Sequence, residues 1–119
     1  MTKVTIVGAG AVGAAIAYAA QIRGVCQELA LYDLNARKVK AEVLDLNHGM
    51  QFTPMARIIG GDDLEVARDS DVIVITAGAK QKPGQTRLDL AAANVEMCRK
   101  LVPSLVELAP DTLLLVVTN

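Results

Sequence analysis

The β-forming run Val4-Thr5-Ile6-Val7 leads directly into Gly8-Ala9-Gly10-Ala11-Val12-Gly13, and Asp33 closes a second such run 20 residues after the last of these glycines. Glycines at the first, third and sixth places of a turn between strand and helix leave a chain few folds to choose from. The first permits the tight turn, the second lets the backbone approach a pyrophosphate, and the third packs the helix close to the strand. The unbonded N–H groups at the helix start and the positive end of its dipole then receive phosphates. Short glycine patterns arise by chance; strand before, helix after and an acid at this remove give the pattern its meaning. It predicts a dinucleotide site over Gly8, Gly10, Ala11, Val12 and Gly13, with Asp33 accepting hydrogen bonds from the adenosine ribose.

Asp33 also selects the dinucleotide. A carboxylate there repels the 2′-phosphate of NADP, which normally has an arginine to receive it. Leu34, Asn35 and Ala36 follow, and the first basic residues, Arg37 and Lys38, fall inside the second expected helix. NAD is the expected cofactor.

The chain has 119 residues, enough for one domain with a real core but short for a complete two-substrate enzyme. A hydrophobic share of 52% with 3% aromatics describes a core of Val, Leu, Ile and Ala, as in buried parallel sheets. The formal net charge of −1, with acids and bases intermixed, argues against a nucleic-acid or membrane surface. Cys26 and Cys98 have no metal-ligand or CxxC spacing and read as reduced thiols. No leader or membrane span is visible, so the cytoplasm is the expected compartment.

Strands are expected near 3–7, 28–32, 56–60, 71–76 and 112–118, and helices near 11–23, 35–47 and 86–109, with a short helix at 62–68. Val12, Ala15, Ile16 and Ala19 form the expected inner face of the first helix. Ala91, Val95, Cys98, Val102, Leu105 and Ala109 form that of the third, where Pro103 should kink or break it. Gly24 and Gly49 stand where the first two helices should end. The apolar, non-alternating runs at 71–75 and 113–117 suit strands covered on both faces. Alternating strands and helices imply right-handed parallel crossovers, hence an α/β, Rossmann-type parallel sheet of order 3-2-1-4-5 with helices on both faces. Because the sequence stops at Asn119 just after a strand, it reads as one truncated NAD-binding domain whose catalytic partner domain is absent.

The fourth strand delivers Thr76-Ala77-Gly78-Ala79 to the glycine-turn edge, followed by the polar loop Lys80-Gln81-Lys82-Pro83-Gly84-Gln85-Thr86-Arg87. Together with Asp45-Leu46-Asn47-His48-Gly49, Thr86-Arg87-Leu88-Asp89-Leu90 and Val117-Thr118-Asn119, these motifs make the whole chain resemble the lactate and malate dehydrogenase family, on its bacterial L-lactate dehydrogenase side. The resemblance implies that the loop closes over substrate and that Arg87 polarises the substrate carbonyl and stabilises the developing alkoxide. It gives Gln81 the position that reads the substrate's variable end. Malate dehydrogenases place an arginine there for the second carboxylate of oxaloacetate. A neutral amide cannot pair that charge, so Gln81 points to pyruvate and lactate. Asn119 matches an asparagine touching substrate and nicotinamide. Val12, Gly78, Ala79, Val117 and Thr118 match contacts to NAD, and Lys38 and Lys80 match basic residues near the adenosine and pyrophosphate. Gln85 departs from the glutamate of many relatives.

His48, the only histidine, matches the end of the second helix rather than the His-Gly-Asp segment that carries the proton transfer. The resemblance therefore implies a fragment inactive alone. Two alternatives stay open: the NAD-binding half of a malate or other 2-hydroxy-acid dehydrogenase, and a stand-alone dinucleotide-binding module. Self-association is expected through a bare edge at 113–117 or through the second helix, which pairs subunits in the family.

Overall fold

The computed structural model describes residues 1–118. Five strands, β1 (Lys3–Val7), β2 (Glu28–Tyr32), β3 (Arg57–Gly61), β4 (Val72–Ile75) and β5 (Leu113–Val116), form one sheet in the order β3-β2-β1-β4-β5. Every pairing is parallel. Three helices, α1 (Ala11–Arg23), α2 (Ala36–His48) and α3 (Arg87–Leu108), join the strands, and 3₁₀ turns occupy Gly49–Phe52 and Leu64–Ala67. The second of these turns stands where a short helix was expected.

Alternation along the strands divides the core into two layers. Ile6, Leu29, Leu31, Ile58 and Val74 meet Ala17 and Ala20 of α1 and Val39 and Leu46 of α2. Val7, Ile73 and Ile75 meet Ala67, Leu105 and Ala109 on the other face. A fully buried aliphatic side chain contributes about 1.5–3 kcal/mol relative to exposure, so these two layers carry the fold. The reversal between β1 and β4 follows: α1 and α2 carry the chain one way along one face, and α3 carries it the other way along the opposite face.

Helix faces differ from the sequence expectation in a way that matters for the site. Gly13, Ala17, Ala20 and Gln21 are buried in α1, whereas Val12, Ala15 and Ala19 are exposed. The cause is Gly13, which must sit against the β1 turn and so turns the small-residue side of the helix inward. Val12 is left 54% exposed. Along α3 the expected stripe holds except at Val95: Leu105 and Ala109 are buried and Ala91, Cys98 and Val102 half-buried, whereas Val95 is 57% exposed, and Leu90, Asn94, Met97 and Leu101 share the inward side. Pro103 does not break α3, which runs from Arg87 to Leu108. Gly24 ends α1 with φ 64° in the left-handed region, as expected. Gly49 ends α2 in the right-handed region and leads into a 3₁₀ turn instead.

β5 is not covered on both faces. Leu113, Leu115, Val116 and Val117 are exposed and only Leu114 packs inward, against the α3 layer. Helices α1 and α2 lie over β1–β3, so the same face of β5 has no neighbouring helix among the described residues. The edge of the sheet formed by the strand starts is closed by the Lys3–Glu28 ion pair at 3.3 Å and a buried Thr5–Ser70 hydrogen bond of 2.6 Å. The opposite edge, where the strands end, is open.

Candidate functional site

A cleft of about 370 Å³ opens at that edge, on the reversal between β1 and β4, lined among others by Gly8, Gly10, Tyr32, Asp33, Thr76 and Gly78. The three glycines of the turn have three separate reasons to be there. Gly8 has φ 110°, and a Cβ on it would stand 2.7 Å from the Ala77 nitrogen. A Cβ on Gly13 would stand 1.7 Å from the Gly8 carbonyl oxygen. A Cβ on Gly10 would meet nothing within 4 Å, because it would project into the cleft itself. The first two positions build the turn, and the third keeps its floor clear.

Helix α1 points its start at this space with no side-chain cap at Gly10, whereas Asn35 caps α2 and Thr86 caps α3. Its first intrahelical hydrogen bond runs from Ala14 N–H to the Gly10 carbonyl, 2.9 Å, so the N–H groups of Ala11, Val12 and Gly13 precede the helix's own bonding ladder. An uncapped helix start beside a glycine floor suits a pyrophosphate.

Asp33 sits one residue beyond β2, held by backbone on both oxygens. Its Oδ2 accepts from Ala9 N–H at 2.8 Å and its Oδ1 from Asn35 N–H at 3.0 Å. A carboxylate has about four acceptor sites, so two remain for ribose hydroxyls from a rigid position. Tyr32 adds a wall; its own burial, and then the carboxylates of Asp33, Asp62 and Asp63, push its phenol above the usual range. Leu34, 83% exposed, and Met97 and Leu101 of α3 supply apolar lining. Lys38 is exposed on the first turn of α2, with its backbone N–H bonded to the Asn35 cap.

Across the reversal, Thr76 shares its hydroxyl proton between the Val7 and Gly8 carbonyls, each at 3.1 Å, pinning the end of β4 to the glycine turn. The Thr118 hydroxyl bonds to the Ile75 and Ala77 carbonyls, and Val117 N–H donates to the Ile75 carbonyl at 2.8 Å. Gly78 and Ala79, between them, are exposed, and Gly78 lines the cleft. Asn119 lies outside the described residues.

A second recess, about 380 Å³, is lined by Gln81, Arg87, Leu90 and Ala91, so the loop and the helix start bring the two candidate substrate residues together. Within the loop, Gln81 Nε2 donates to the Gln85 carbonyl at 2.9 Å and Gln85 Oε1 accepts from Lys82 N–H at 3.0 Å. Arg87 is the first residue of α3. The Thr86–Asp89 capping box fixes that first turn, and its hydrogen bonds hold the Asp89 carboxyl below the usual aspartate range. A cation at the positive end of a helix is locally unfavourable, so its placement suits an anionic ligand better than helix stability.

His48 ends α2. That helix starts at the cleft edge and runs 13 residues back, roughly 20 Å at 1.5 Å per residue, so the histidine stands at the far edge of the sheet. Cys26 is buried, which pushes its thiol pKa up, and both cysteines are free. Asn94 escaped the sequence reading, as did the lining role of Tyr32, Leu34, Met97 and Leu101. The available signal was one polar residue inside the apolar stripe Leu90, Met97, Leu101, Leu105.

Fold and cleft together define a dinucleotide-binding domain. The sequence matches the family described as lactate/malate dehydrogenase, NAD binding domain, over residues 2–119. It is similar to an L-lactate dehydrogenase of Bifidobacterium animalis subsp. lactis, 51% identical over 99% of this chain and 37% of that protein. It also resembles L-lactate dehydrogenase B of Hordeum vulgare, 49% identical over all of this chain and 35% of that one. A crystal structure of a lactate dehydrogenase from a Medee basin deep-sea metagenome library superposes with a TM-score of 0.91 at 39% identity, covering 99% of this chain and 38% of that one. The chain belongs to the lactate/malate dehydrogenase family, as its NAD-binding domain. It spans little more than a third of the length of the curated relatives it matches (37% and 35%). Among the described residues, no helix is long and apolar enough to cross a membrane.

Proposed function

We propose that residues 1–119 form one NAD-binding domain of a longer, cytoplasmic L-lactate dehydrogenase. Gly8, Gly10, Ala11, Val12 and Gly13 hold the pyrophosphate, and Asp33 holds the adenosine ribose, with Lys38 near it. Gly78, Ala79, Val117 and Thr118 line the nicotinamide side, and the resemblance gives Asn119 a contact to substrate and nicotinamide. When bound, NAD supplies or accepts the hydride exchanged with C2 of a 2-hydroxy or 2-oxo acid. Arg87 stabilises charge developing on the substrate oxygen, and Gln81 reads the substrate's far end as neutral, which favours pyruvate over oxaloacetate. The described residues place no histidine beside Arg87, so proton transfer at the substrate oxygen belongs to another part of the longer enzyme.

The observation that carries the cofactor reading is Asp33, fixed by two backbone N–H groups at the rim of a glycine-floored cleft. Calorimetric titration of this chain should show NADH binding at least tenfold tighter than NADPH, because the carboxylate repels a 2′-phosphate. Equal or tighter NADPH binding would overturn the assignment.

The reading includes self-association. Leu113, Leu115 and Val116 leave an apolar parallel edge whose free backbone groups can pair with another chain. Light scattering over a concentration series should show mass above that of a monomer, and Leu115→Lys should reduce it. A strict monomer at high concentration would refute association. Association that Leu115→Lys leaves intact in a folded protein would move it from the edge to α2.

A further inference from the structure

Asn94 is 5% exposed on the inward stripe of α3, among Leu90, Met97 and Leu101. A buried amide is costly without partners, and a leucine would fill such a stripe at no polar cost. Its Oδ1 accepts from Ala79 N–H at 3.0 Å, a bond that spans 15 residues and the whole polar loop. On the other side of the same segment, the Thr118 hydroxyl holds the Ala77 carbonyl. Gly78 lies in the jaws: a Cβ on it would stand 3.0 Å from Thr118 Cγ2 and 3.2 Å from Asn94 Oδ1. Beyond Ala79 the loop is bonded mainly to itself, through Gln81, Lys82 and Gln85.

We propose that Asn94 is a positioning residue: it fixes the Gly78–Ala79 backbone as the rigid wall of the nicotinamide half of the cleft, and marks where wall ends and loop begins. The proposal rests on the NAD reading above. Asp33 stands at the exit of β2, on the adenosine side of the sheet reversal, and the β4 exit stands on the other side. Asn94 therefore acts on one half of the dinucleotide only. Ligands that share the adenosine half but differ at the nicotinamide separate this role from a general loss of packing.

The test titrates wild type, Asn94→Ala and Asn94→Asp with NADH and with ADP-ribose, which lacks the nicotinamide, and records melting curves alongside. Wild type should bind NADH more tightly than ADP-ribose. Asn94→Ala should shrink that advantage about five- to tenfold, the worth of one net hydrogen bond, with ADP-ribose affinity within about twofold of wild type. Asn94→Asp keeps an acceptor for Ala79 N–H and should recover most of the advantage. If Asn94→Ala does not fold, Thr118→Val removes the bond on the opposite side of Gly78 and should show the same selective loss. An unchanged advantage, or an equal loss for both ligands, would overturn the role. So would a wild type that binds the two ligands equally. A wild type that binds neither would overturn the underlying NAD reading, and the positioning role with it.

Discussion

Gly13→Ala should unfold or severely loosen this domain, whereas Gly10→Ala, three residues earlier, should leave its melting temperature nearly unchanged and abolish tight NADH binding. The added methyl at position 13 would fall 1.7 Å from the Gly8 carbonyl oxygen and 2.9 Å from the carbon that bears it. Ordinary non-bonded contacts to carbon lie near 3.5–4.0 Å, so α1 would have to move by well over 1 Å. Backbone stands on both sides of the clash, and no side-chain rotation relieves it. Overpacking costs about 1–3 kcal/mol when side chains can adjust, and the cost here should reach or exceed the upper end. The helix start that faces the cleft would move with it. At Gly10, φ is −73°, a value any residue adopts, and the new Cβ meets no atom within 4 Å. In the NAD-binding role proposed for this cleft, that methyl would take space the pyrophosphate needs. Thermal melts and NADH titrations of both variants check the contrast. A Gly13→Ala protein as stable as wild type, or a Gly10→Ala protein with undiminished affinity, would contradict it.

Those opposite outcomes also show what was legible in the sequence. Strand order, cofactor edge and the glycine roles follow from short-range rules, in which a motif's residues touch one another or their adjoining elements. The inner face of α1 is not legible from spacing, because Val12, Ala15, Ile16 and Ala19 are spaced as well as Gly13, Ala17 and Ala20 for a helical stripe. Hydrophobicity favoured the larger residues, but the close approach at Gly13 turned the smaller ones inward. Asn94 was missed for a related reason. Its partner, Ala79 N–H, lies across the loop, and nothing in local periodicity announces a bond of that span. The exposure of β5 has the same origin. A run such as Leu113-Leu114-Leu115-Val116 states that both faces can be buried, and only the position of β5 at the end of the sheet decides that one of them is not. For Gln81 and Arg87 the resemblance supplied the roles, while the shared recess supplies the proximity those roles require.

Asp33→Asn and Asp33→Ala should both lose the preference for NADH, by different routes. In wild type the carboxylate accepts from Ala9 and Asn35 N–H and keeps lone pairs for the ribose hydroxyls. Hydrogen bonds to a charged acceptor contribute about 1.5–3 kcal/mol each, so removing the acceptor should weaken NADH binding roughly ten- to a hundredfold. NADPH never gains those bonds in full and is repelled by the charge, so its affinity should hold or rise in both variants. The two substitutions part on stability. Asparagine still offers an oxygen to Ala9 N–H, and its fold should melt within a few degrees of wild type. Alanine strands the part-buried Ala9 N–H and should cost about 1–3 kcal/mol. Comparing the NADH-to-NADPH affinity ratio with the melting temperature across the three proteins separates recognition from scaffolding. If Asp33→Asn retains the wild-type ratio, the negative charge is not what distinguishes the two cofactors. If Asp33→Ala melts like wild type, the bond to Ala9 is not what holds the turn.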